Sequence, residues 1–182
     1  MPFKTTNIPD LQVFDPQVWR DDRGYFYESY NYQTFEAAGI TNKFVQDNQA
    51  LSTYGVLRGL HYQLPPMAQA KLVRVIQGEV LDVVVDVRPN SAAYGEHFSI
   101  RLSAENKKQL YIPKGFAHGY VVLSDTAIFA YKCDNFYSKA HDAGVLFSDP
   151  KLNIDWQIDF DHIILSEKDQ LQPRFGAHQK FT

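Results

Sequence analysis

The stretch Val80-Leu-Asp-Val-Val-Val-Asp-Val-Arg88 has the clearest periodic pattern in the chain. Its side chains alternate, with one face holding Leu81, Val83, Val85 and Val87 and the other holding Asp82, Asp86 and Arg88. A period of two residues is that of a β-strand. Turn-forming residues bound the stretch, with Gln77-Gly78 before it and Pro89-Asn90-Ser91 after it. The stretch therefore predicts one well-bounded strand.

Short segments on both sides of this strand also have strand patterns, separated by Gly, Pro, Asn or Ser-Asp breaks. They are residues 57–63, 71–76, 97–102, 109–112, 119–123 and 127–133. Near the N-terminus, Asp21-Asp22-Arg23-Gly24 predicts a turn that joins a strand at 11–14 to one at 24–30. Helical signal is limited to a short segment between Asn31 and Gly39 and to a turn or two at 166–170.

The composition favours a globular all-β protein. The 182 residues are 45% hydrophobic and 21% charged, which is typical of a folded chain, and an aromatic content of 14% favours strands over helical bundles. Many short strands in a chain of this length predict a sandwich or barrel closed against its own edges. We therefore expect one domain over residues 1–182, a jelly-roll barrel with a few short peripheral helices.

The charge balance excludes several classes of partner. Lys and Arg number 18 against 21 Asp and Glu, so no chain-wide basic field exists to bind nucleic acid or an anionic membrane. The most apolar window, residues 80–87, is interrupted by Asp82 and Asp86, so no membrane span is predicted. A single cysteine, Cys133, and an N-terminus without a secretory signal favour a cytoplasmic protein.

Two chemically potent side chains, Arg58 and His61, stand in a segment that otherwise has a buried-strand pattern. An imidazole and a guanidinium together suit proton transfer on an anionic substrate. Strict alternation would point them to opposite faces, so a joint site requires a bulge, for which Gly59 is the candidate. The alternative is a hydrogen-bonded structural histidine beside a solvated arginine.

Four further residues have a functional and a structural interpretation. Lys71 is either a charge at the strand end or a cation directed into the barrel, and His118 stands near Pro113 and two glycines that predict a tight turn, where it could face a cavity or be structural. Tyr131 shares a predicted face with Phe129 and could be a core aromatic. Nothing local distinguishes Asp169 from a surface carboxylate.

Metal-binding and cofactor-binding motifs are missing from the sequence. No His-x-His pair occurs, because His61 is followed by Tyr62 and Gln63, and the remaining histidines stand singly. Glycine-rich phosphate loops and a Gly-x-Ser-x-Gly elbow are also missing. We therefore expect neither a metal nor another cofactor.

Nine blocks occur in a fixed order along the chain. They are Asp21-Asp-Arg-Gly-Tyr-Phe-Tyr-Glu28, Phe44-Val-Gln-Asp-Asn48, Leu57-Arg-Gly-Leu-His-Tyr-Gln63, Lys71-Leu-Val-Arg74, Gly78-Glu-Val80, Asp82, Leu102-Ser-Ala-Glu-Asn106, Ile112-Pro-Lys-Gly-Phe-Ala-His-Gly119 and Ser166-Glu-Lys-Asp169. Together they resemble the dTDP-4-dehydrorhamnose 3,5-epimerase family over residues 8–169, which leaves 170–182 as a tail outside the resemblance. Nine blocks in order are far more specific than any one of them.

The resemblance implies a cupin-type jelly roll without the usual metal, and a homodimer with N-terminal strands exchanged or packed across it. It also implies an activity, the conversion of dTDP-4-keto-6-deoxy-D-glucose to dTDP-4-keto-L-rhamnose by inversion at C3 and C5. The C4 ketone acidifies both C–H bonds, because each carbanion delocalises onto oxygen as an enolate.

By the same resemblance, His61 is the base and Asp169 orients it, Tyr131 is the acid on the opposite side, and Lys71 stabilises the enolate oxygen. The implied substrate-binding residues are Arg23 and Arg58 for the diphosphate or sugar, Phe26, Glu28, Gln46 and Asn48 for the thymidine, Tyr137 beside the nucleotide, Trp19 at a position where the family often has Phe, and His118 paired with Asp82.

Three other functions remain open at this point. A related enzyme could act at one carbon only, or on another nucleotide sugar, with a similar base and similar nucleotide contacts. A noncatalytic cupin could bind the sugar nucleotide and use His61 only structurally. A metal-dependent cupin oxygenase is the third alternative.

Overall fold

In the computed structural model, which describes residues 2–182, antiparallel strands form two facing sheets and a separate hairpin. The strands are β1 (Phe3–Thr5), β2 (Gln12–Phe14), β3 (Trp19–Asp21), β4 (Gly24–Phe26), β5 (Gln46–Thr53), β6 (Leu57–Gln63), β7 (Lys71–Gln77), β8 (Glu79–Asp86), β9 (His97–Ser103), β10 (Gln109–Ile112), β11 (Phe116–Val122), β12 (Thr126–Cys133) and β13 (Asp142–Gly144). The α-helices are α1 (Tyr32–Ala37) and α2 (Glu167–Gln170), and short 3₁₀ helices occupy Lys139–His141 and Phe160–His162.

One sheet has the order β1-β2-β10-β7-β12-β5, and the other has the order β13-β6-β11-β8-β9. Strands β3 and β4 form the hairpin. The main core lies between the two sheets, where Val73 and Phe129 of the first meet Val84 and Tyr120 of the second. The predicted all-β, cupin-type jelly roll with few helices is confirmed.

Strand β8 is buried on both faces, which explains why apolar residues occur on both of them. Leu81, Val83 and Val85 face outward and pack beneath the chain that follows β13, including Trp156. Val84 faces the other way into the core between the sheets. The helix α1 covers the outer face of the six-stranded sheet with the fully buried Phe35.

The predicted bulge at Gly59 is confirmed. His61 lies opposite His118 on β11, whereas Arg58 lies opposite Tyr120, so β6 contains one more residue than β11 over this interval. Gly59 has a φ of 140°, and a Cβ there would lie 2.5 Å from the Cα of Gly119. Because of the extra residue, Arg58 and His61 share the face that lines the space between the sheets.

Two local predictions were wrong. The turn at Asp21–Gly24 joins β3 to β4, whereas β2 pairs with β1 and β10. Pro16 follows β2 closely and cannot donate to a ladder, which ends that strand before the hairpin. His118 lies inside β11 and not on a turn; the turn precedes it, and Gly115 has a φ of 87° there.

Strand β5 was not predicted, because its pattern is polar. Its inward side chains include Gln46 and Asn48, and its outward side chains are exposed. Both predicted helical segments are confirmed. The side chain of Asn31 caps α1 by accepting from the Gln33 amide, and that of Ser166 caps α2 by accepting from the Asp169 amide.

The Gly59→Ala substitution should destabilise the fold more than Gly24→Ala. Both positions have strongly positive φ, 140° and 128°, so both variants carry backbone strain of about 1–3 kcal/mol. A Cβ at Gly24 meets no atom within 4 Å, whereas one at Gly59 meets the backbone of Gly119. We therefore expect Gly59→Ala to lose about 1–3 kcal/mol more in urea unfolding. Equal losses would contradict the close approach.

Candidate active site

A cavity of about 170 Å³ opens between the two sheets, and both sheets contribute side chains to it. Six of the residues predicted to form the site line this cavity, namely Gln46, Asn48, His61, Lys71, Tyr131 and Tyr137. His61 comes from β6 in the five-stranded sheet, and Lys71 and Tyr131 come from β7 and β12 in the six-stranded sheet. The imidazole therefore faces the same space as the ammonium and the phenol from the opposite wall.

His61 is hydrogen-bonded to Asp169, the third residue of α2. The distance from His61 Nε2 to Asp169 Oδ1 is 2.5 Å, and Asp169 is only 3% exposed. Burial opposes ionisation of Asp169, but hydrogen bonds from His61 and from Ser166 lower its pKa below the usual value. An ionised carboxylate can only accept, so Nε2 donates, and in the neutral ring Nδ1 is left without a proton. That is the tautomer a general base needs.

Lys71 and Tyr131 lie close together on the opposite wall. The Lys71 ammonium is 5.9 Å from the centre of the Tyr131 ring, so this lysine faces inward. Burial raises the pKa of the Tyr131 phenol to about 12, which keeps it protonated at neutral pH. Burial also lowers the pKa of the Lys71 ammonium, against an opposing influence from Cys133 and nearby carboxylates.

A second histidine–aspartate pair lies beside the first. His118 is opposite His61 in the β6–β11 ladder, and its Nε2 is 2.8 Å from Asp82 Oδ2. Both side chains are buried, and the His118 ring stacks on Phe129. Among residues 2–182, Asp82 Oδ1 has no hydrogen-bond partner. This pair lies next to the cavity without lining it.

Five residues that line the cavity were not predicted to form the site, namely Tyr62, Gln63, Gln69, Asp142 and Lys168. Lys168 donates to Asp142, and the Tyr137 hydroxyl donates to the same carboxylate at 3.1 Å. Lys168 could have been found, because it directly precedes Asp169 in a quoted block and a one-turn helix places both near one site. No sequence pattern marks Asp142, because it reaches the site by pairing with Gln63 of β6, which is far away in the sequence.

Three predicted nucleotide contacts form one group at the cavity. The Gln46 amide donates to Asn48 Oδ1 at 3.1 Å, and the Tyr137 backbone N–H donates to Gln46 Oε1 at 3.2 Å. Arg58 lies on the same inner face as His61, with its Nε 3.2 Å from Ser52 Oγ and its side chain exposed. Its guanidinium is accessible to an anion.

The other predicted nucleotide contacts lie apart from the cavity within one chain. Trp19, Arg23 and Phe26 surround a separate hollow on the β3–β4 hairpin, where Trp19 is 53% and Phe26 66% exposed. Arg23 is paired with Asp21 at 2.5 Å. Glu28 lines another hollow together with Trp19. A single chain thus does not bring these four residues to His61.

Comparison with known proteins assigns the chain to a family. The sequence profile described as dTDP-4-dehydrorhamnose 3,5-epimerase matches residues 5–177. The chain belongs to this epimerase family. The dTDP-4-dehydrorhamnose 3,5-epimerase of Shigella flexneri is 55% identical to it over 165 residues, which is 90% of either chain.

Solved structures of family members have the same fold. The dTDP-4-dehydrorhamnose 3,5-epimerase of Elizabethkingia anophelis NUHP1 is 52% identical, with a TM-score of 0.92 and 96% of each chain covered. The dTDP-6-deoxy-D-glucose-3,5-epimerase of Legionella pneumophila Philadelphia 1, solved in complex with dTDP-4-keto-L-rhamnose, is 44% identical. Its TM-score is 0.88, with 95% of this chain and 97% of that chain covered.

Within residues 2–182, the structure contains neither a membrane-spanning helix nor a cluster of metal-binding side chains. Neither helix has the length and apolar character needed to cross a membrane. No three His, Cys, Asp or Glu side chains gather there in a group that could hold a metal ion.

The Asp169→Asn substitution should lower stability in a pH-dependent way. Since the folded-state pKa of Asp169 lies below 3.8, its ionised form stabilises the fold above that pH, and the contribution is lost as the pH falls through the folded-state pKa. We expect a loss of about 1.5–3 kcal/mol at pH 7 that shrinks below pH 3.8. Urea unfolding at several pH values measures it.

The exposed Asp47, which pairs with Lys132, provides a matched control. Asp47→Asn should change stability by less than about 0.5 kcal/mol at any pH. A loss in Asp169→Asn that persisted unchanged far into the acid range would contradict an ionised, hydrogen-bonded Asp169.

Proposed function

We propose that the protein epimerises dTDP-4-keto-6-deoxy-D-glucose at C3 and C5 to dTDP-4-keto-L-rhamnose, in dTDP-L-rhamnose biosynthesis. One observation carries this proposal: an imidazole fixed by a buried carboxylate faces the same cavity as a neutral phenol and an ammonium on the opposite wall. Membership of the epimerase family supports it. The reaction needs proton transfers alone, so no cofactor is invoked.

Each inversion follows from this geometry. His61 takes the proton from C3 or C5, and the electron pair of the broken C–H bond moves into the ring to give an enolate at the C4 oxygen. Tyr131 then donates its hydroxyl proton to the opposite face of the same carbon. Solvent restores the proton to Tyr131 and removes the one held by His61, so the cycle is balanced.

Lys71 is the group that stabilises the enolate oxygen. Partial burial, which lowers its pKa, also removes the water that would screen its charge from a developing anion. Losing one such donor costs about 3–4 kcal/mol of barrier in comparable sites. Asp169 keeps His61 in its basic tautomer, and the buried pair of His118 and Asp82 backs His61 from the adjacent strand.

The nucleotide would extend away from the reacting sugar. Gln46, Asn48 and Tyr137 form a polar and aromatic group suited to the thymidine. The exposed guanidinium of Arg58 suits the diphosphate, whose geometry it can match with two hydrogen bonds. A chain with a net charge of -3 needs such a local cation for an anionic substrate.

We also propose a homodimer in which the β3–β4 hairpin of one subunit completes the cavity of the other. Large aromatic surfaces on Trp19 and Phe26 are exposed on this hairpin, beside Arg23, and none of the three reaches the cavity of its own chain. A cytoplasmic location is part of the proposal, supported by the single, buried and unpaired Cys133.

Incubation with substrate in D2O tests the reaction. We expect deuterium at both C3 and C5 of the recovered sugar, because His61 exchanges its proton with solvent between steps. NMR of the product measures it. His61→Ala should lower the exchange rate at least about 1,000-fold, since it removes the base. The exposed His162 lies outside the site, so His162→Ala should leave exchange unchanged.

The outcomes separate the alternatives. Exchange at one carbon only would select a single-carbon epimerase. Exchange at neither carbon, with dTDP still bound, would select a noncatalytic binding protein and overturn the proposed reaction.

Mixed dimers test the shared site. Coexpressed His61→Ala and Arg23→Ala chains should recover about a quarter of wild-type activity, because each mixed dimer has one cavity with His61 in place and an intact hairpin from its partner. As a control, His61→Ala with Tyr131→Phe should recover nothing, because both changes lie in the same chain's cavity. If the first pair also stays inactive, or if Arg23→Ala alone is fully active, the proposed hairpin exchange is wrong.

A further inference from the structure

The C-terminal segment, residues 173–182, lies on the outer face of the five-stranded sheet, behind the strand that holds His61. The Pro173 carbonyl accepts from the Leu146 amide at 2.8 Å, and the Phe175 amide donates to Asp149 Oδ2 at 2.7 Å. Phe175 packs with the apolar cluster on that face of the sheet. The proposed reaction uses none of these residues.

Tyr62 links this segment to the base. It is the next residue after His61 on β6, and its ring faces outward, where it is 4% exposed. Its hydroxyl donates to the Gln179 carbonyl, and its ring meets that of His178 edge-on at 6.3 Å. The segment therefore holds β6 from behind at the residue adjacent to His61.

His178 fills the space between the segment and the sheet. It is 5% exposed, and its ring stacks on Phe175 at 4.9 Å and lies near Tyr94. Its Nδ1 accepts from the Gly176 amide at 3.0 Å, while its Nε2 is buried without a partner within residues 2–182. Burial lowers the pKa of His178, which keeps the ring neutral in this aromatic setting.

The same segment continues directly from α2, which holds Asp169. A four-residue helix cannot hold its own conformation, because the first turn of a helix is the costly one. The chain just before α2 is tethered to β6, because the Leu57 amide donates to the Ile164 carbonyl at 3.0 Å. On the C-terminal side of α2 the Gln172 side chain lies against Gly144, leaving no room for a Cβ there. Gly144 is the β13 residue opposite His61.

We propose that the C-terminal segment is a positioning element for the His61–Asp169 pair. It fixes β6 through Tyr62 and anchors the far end of the turn that presents Asp169, so both members of the pair are held from the side away from substrate. Without the segment, the chain beyond α2 loses its anchors at Pro173 and Phe175 and keeps only the contact of Gln172 with Gly144. Asp169 then spends less time bonded to His61. This inference rests on the proposed role of His61 as the base.

Two variants test the inference kinetically, a chain ending at Gln172 and Tyr62→Phe, which removes one hydroxyl and keeps the ring. We expect the shortened chain to lose at least tenfold in kcat and Tyr62→Phe about threefold, with KM changed by less than twofold in both. Lys180→Ala, an exposed change within the same segment, should leave kcat unchanged.

Repeating both changes in an Asp169→Asn background separates positioning from general destabilisation. If the segment acts through Asp169, each change should alter the residual exchange rate by less than twofold in that background. The same fold loss in both backgrounds, or an unchanged kcat in the wild-type background, would overturn the inference. If the shortened chain does not fold, Tyr62→Phe decides by the same criterion.

A spectroscopic measurement keeps this inference distinct from the proposed reaction. The ring ¹⁵N signals of His61, assigned with His61→Ala, report the bond to Asp169 whether or not the protein turns over substrate. We expect Tyr62→Phe or the shortening to shift them towards those of Asp169→Asn, and unchanged signals would overturn the inference. Absence of deuterium exchange in the intact protein would instead count against the reaction alone.

Discussion

The close approach of two glycines, Gly59 on β6 and Gly119 on β11, is the constraint on which the site depends. Their backbones come too near for a side chain on either residue. This contact accommodates the extra residue of β6, and the extra residue turns Arg58 to the same side as His61. In a regular ladder one of the two would point into the outer apolar cluster. The contact thus converts an ordinary strand into one wall of a polar cavity.

Burial raises the pKa of one polar group of this cavity and lowers that of another, and each shift suits the role proposed for that group. Desolvation raises the pKa of Tyr131 and lowers that of Lys71, which gives a neutral proton donor beside a poorly hydrated cation. Asp169 is the exception, because its hydrogen bonds outweigh its burial and keep it charged. A single environment thereby favours a neutral phenol at Tyr131 and a charged carboxylate at Asp169, as the proposed reaction requires.

Sequence patterns were most informative where the fold is apolar. The alternation in residues 80–88 located β8, and turn residues bounded β6, β7 and β12 to within a residue or two. They failed where a strand carries polar side chains on its inner face. Strand β5 was missed because its inward residues include Gln46 and Asn48, which line the cavity and give no apolar alternation. His118 was placed on a turn because glycines flank that segment. Gly119 instead lies in a strand, where the lack of a side chain allows the backbone of Gly59 to come close.

The site itself could be predicted only in part from local pattern. The local pattern offered the bulge at Gly59 and the inward direction of Lys71 as alternatives. It contains no sign of the long-range packing that brings Lys168 and Asp142 to the cavity and Asp169 to His61. The nine ordered blocks supplied Asp169 where periodicity could not. They did not supply Asp142, which lies outside all of them.

The pairing of His61 with Asp169 spans 108 residues, about three fifths of the chain. As the polypeptide leaves the ribosome from its N-terminus, both sheets can be almost complete while His61 still lacks its carboxylate. Asp169 follows β13, the last strand of either sheet, by 25 residues. A chain interrupted between Gly144 and Asp169 would therefore contain every strand of both sheets and still lack the partner of His61.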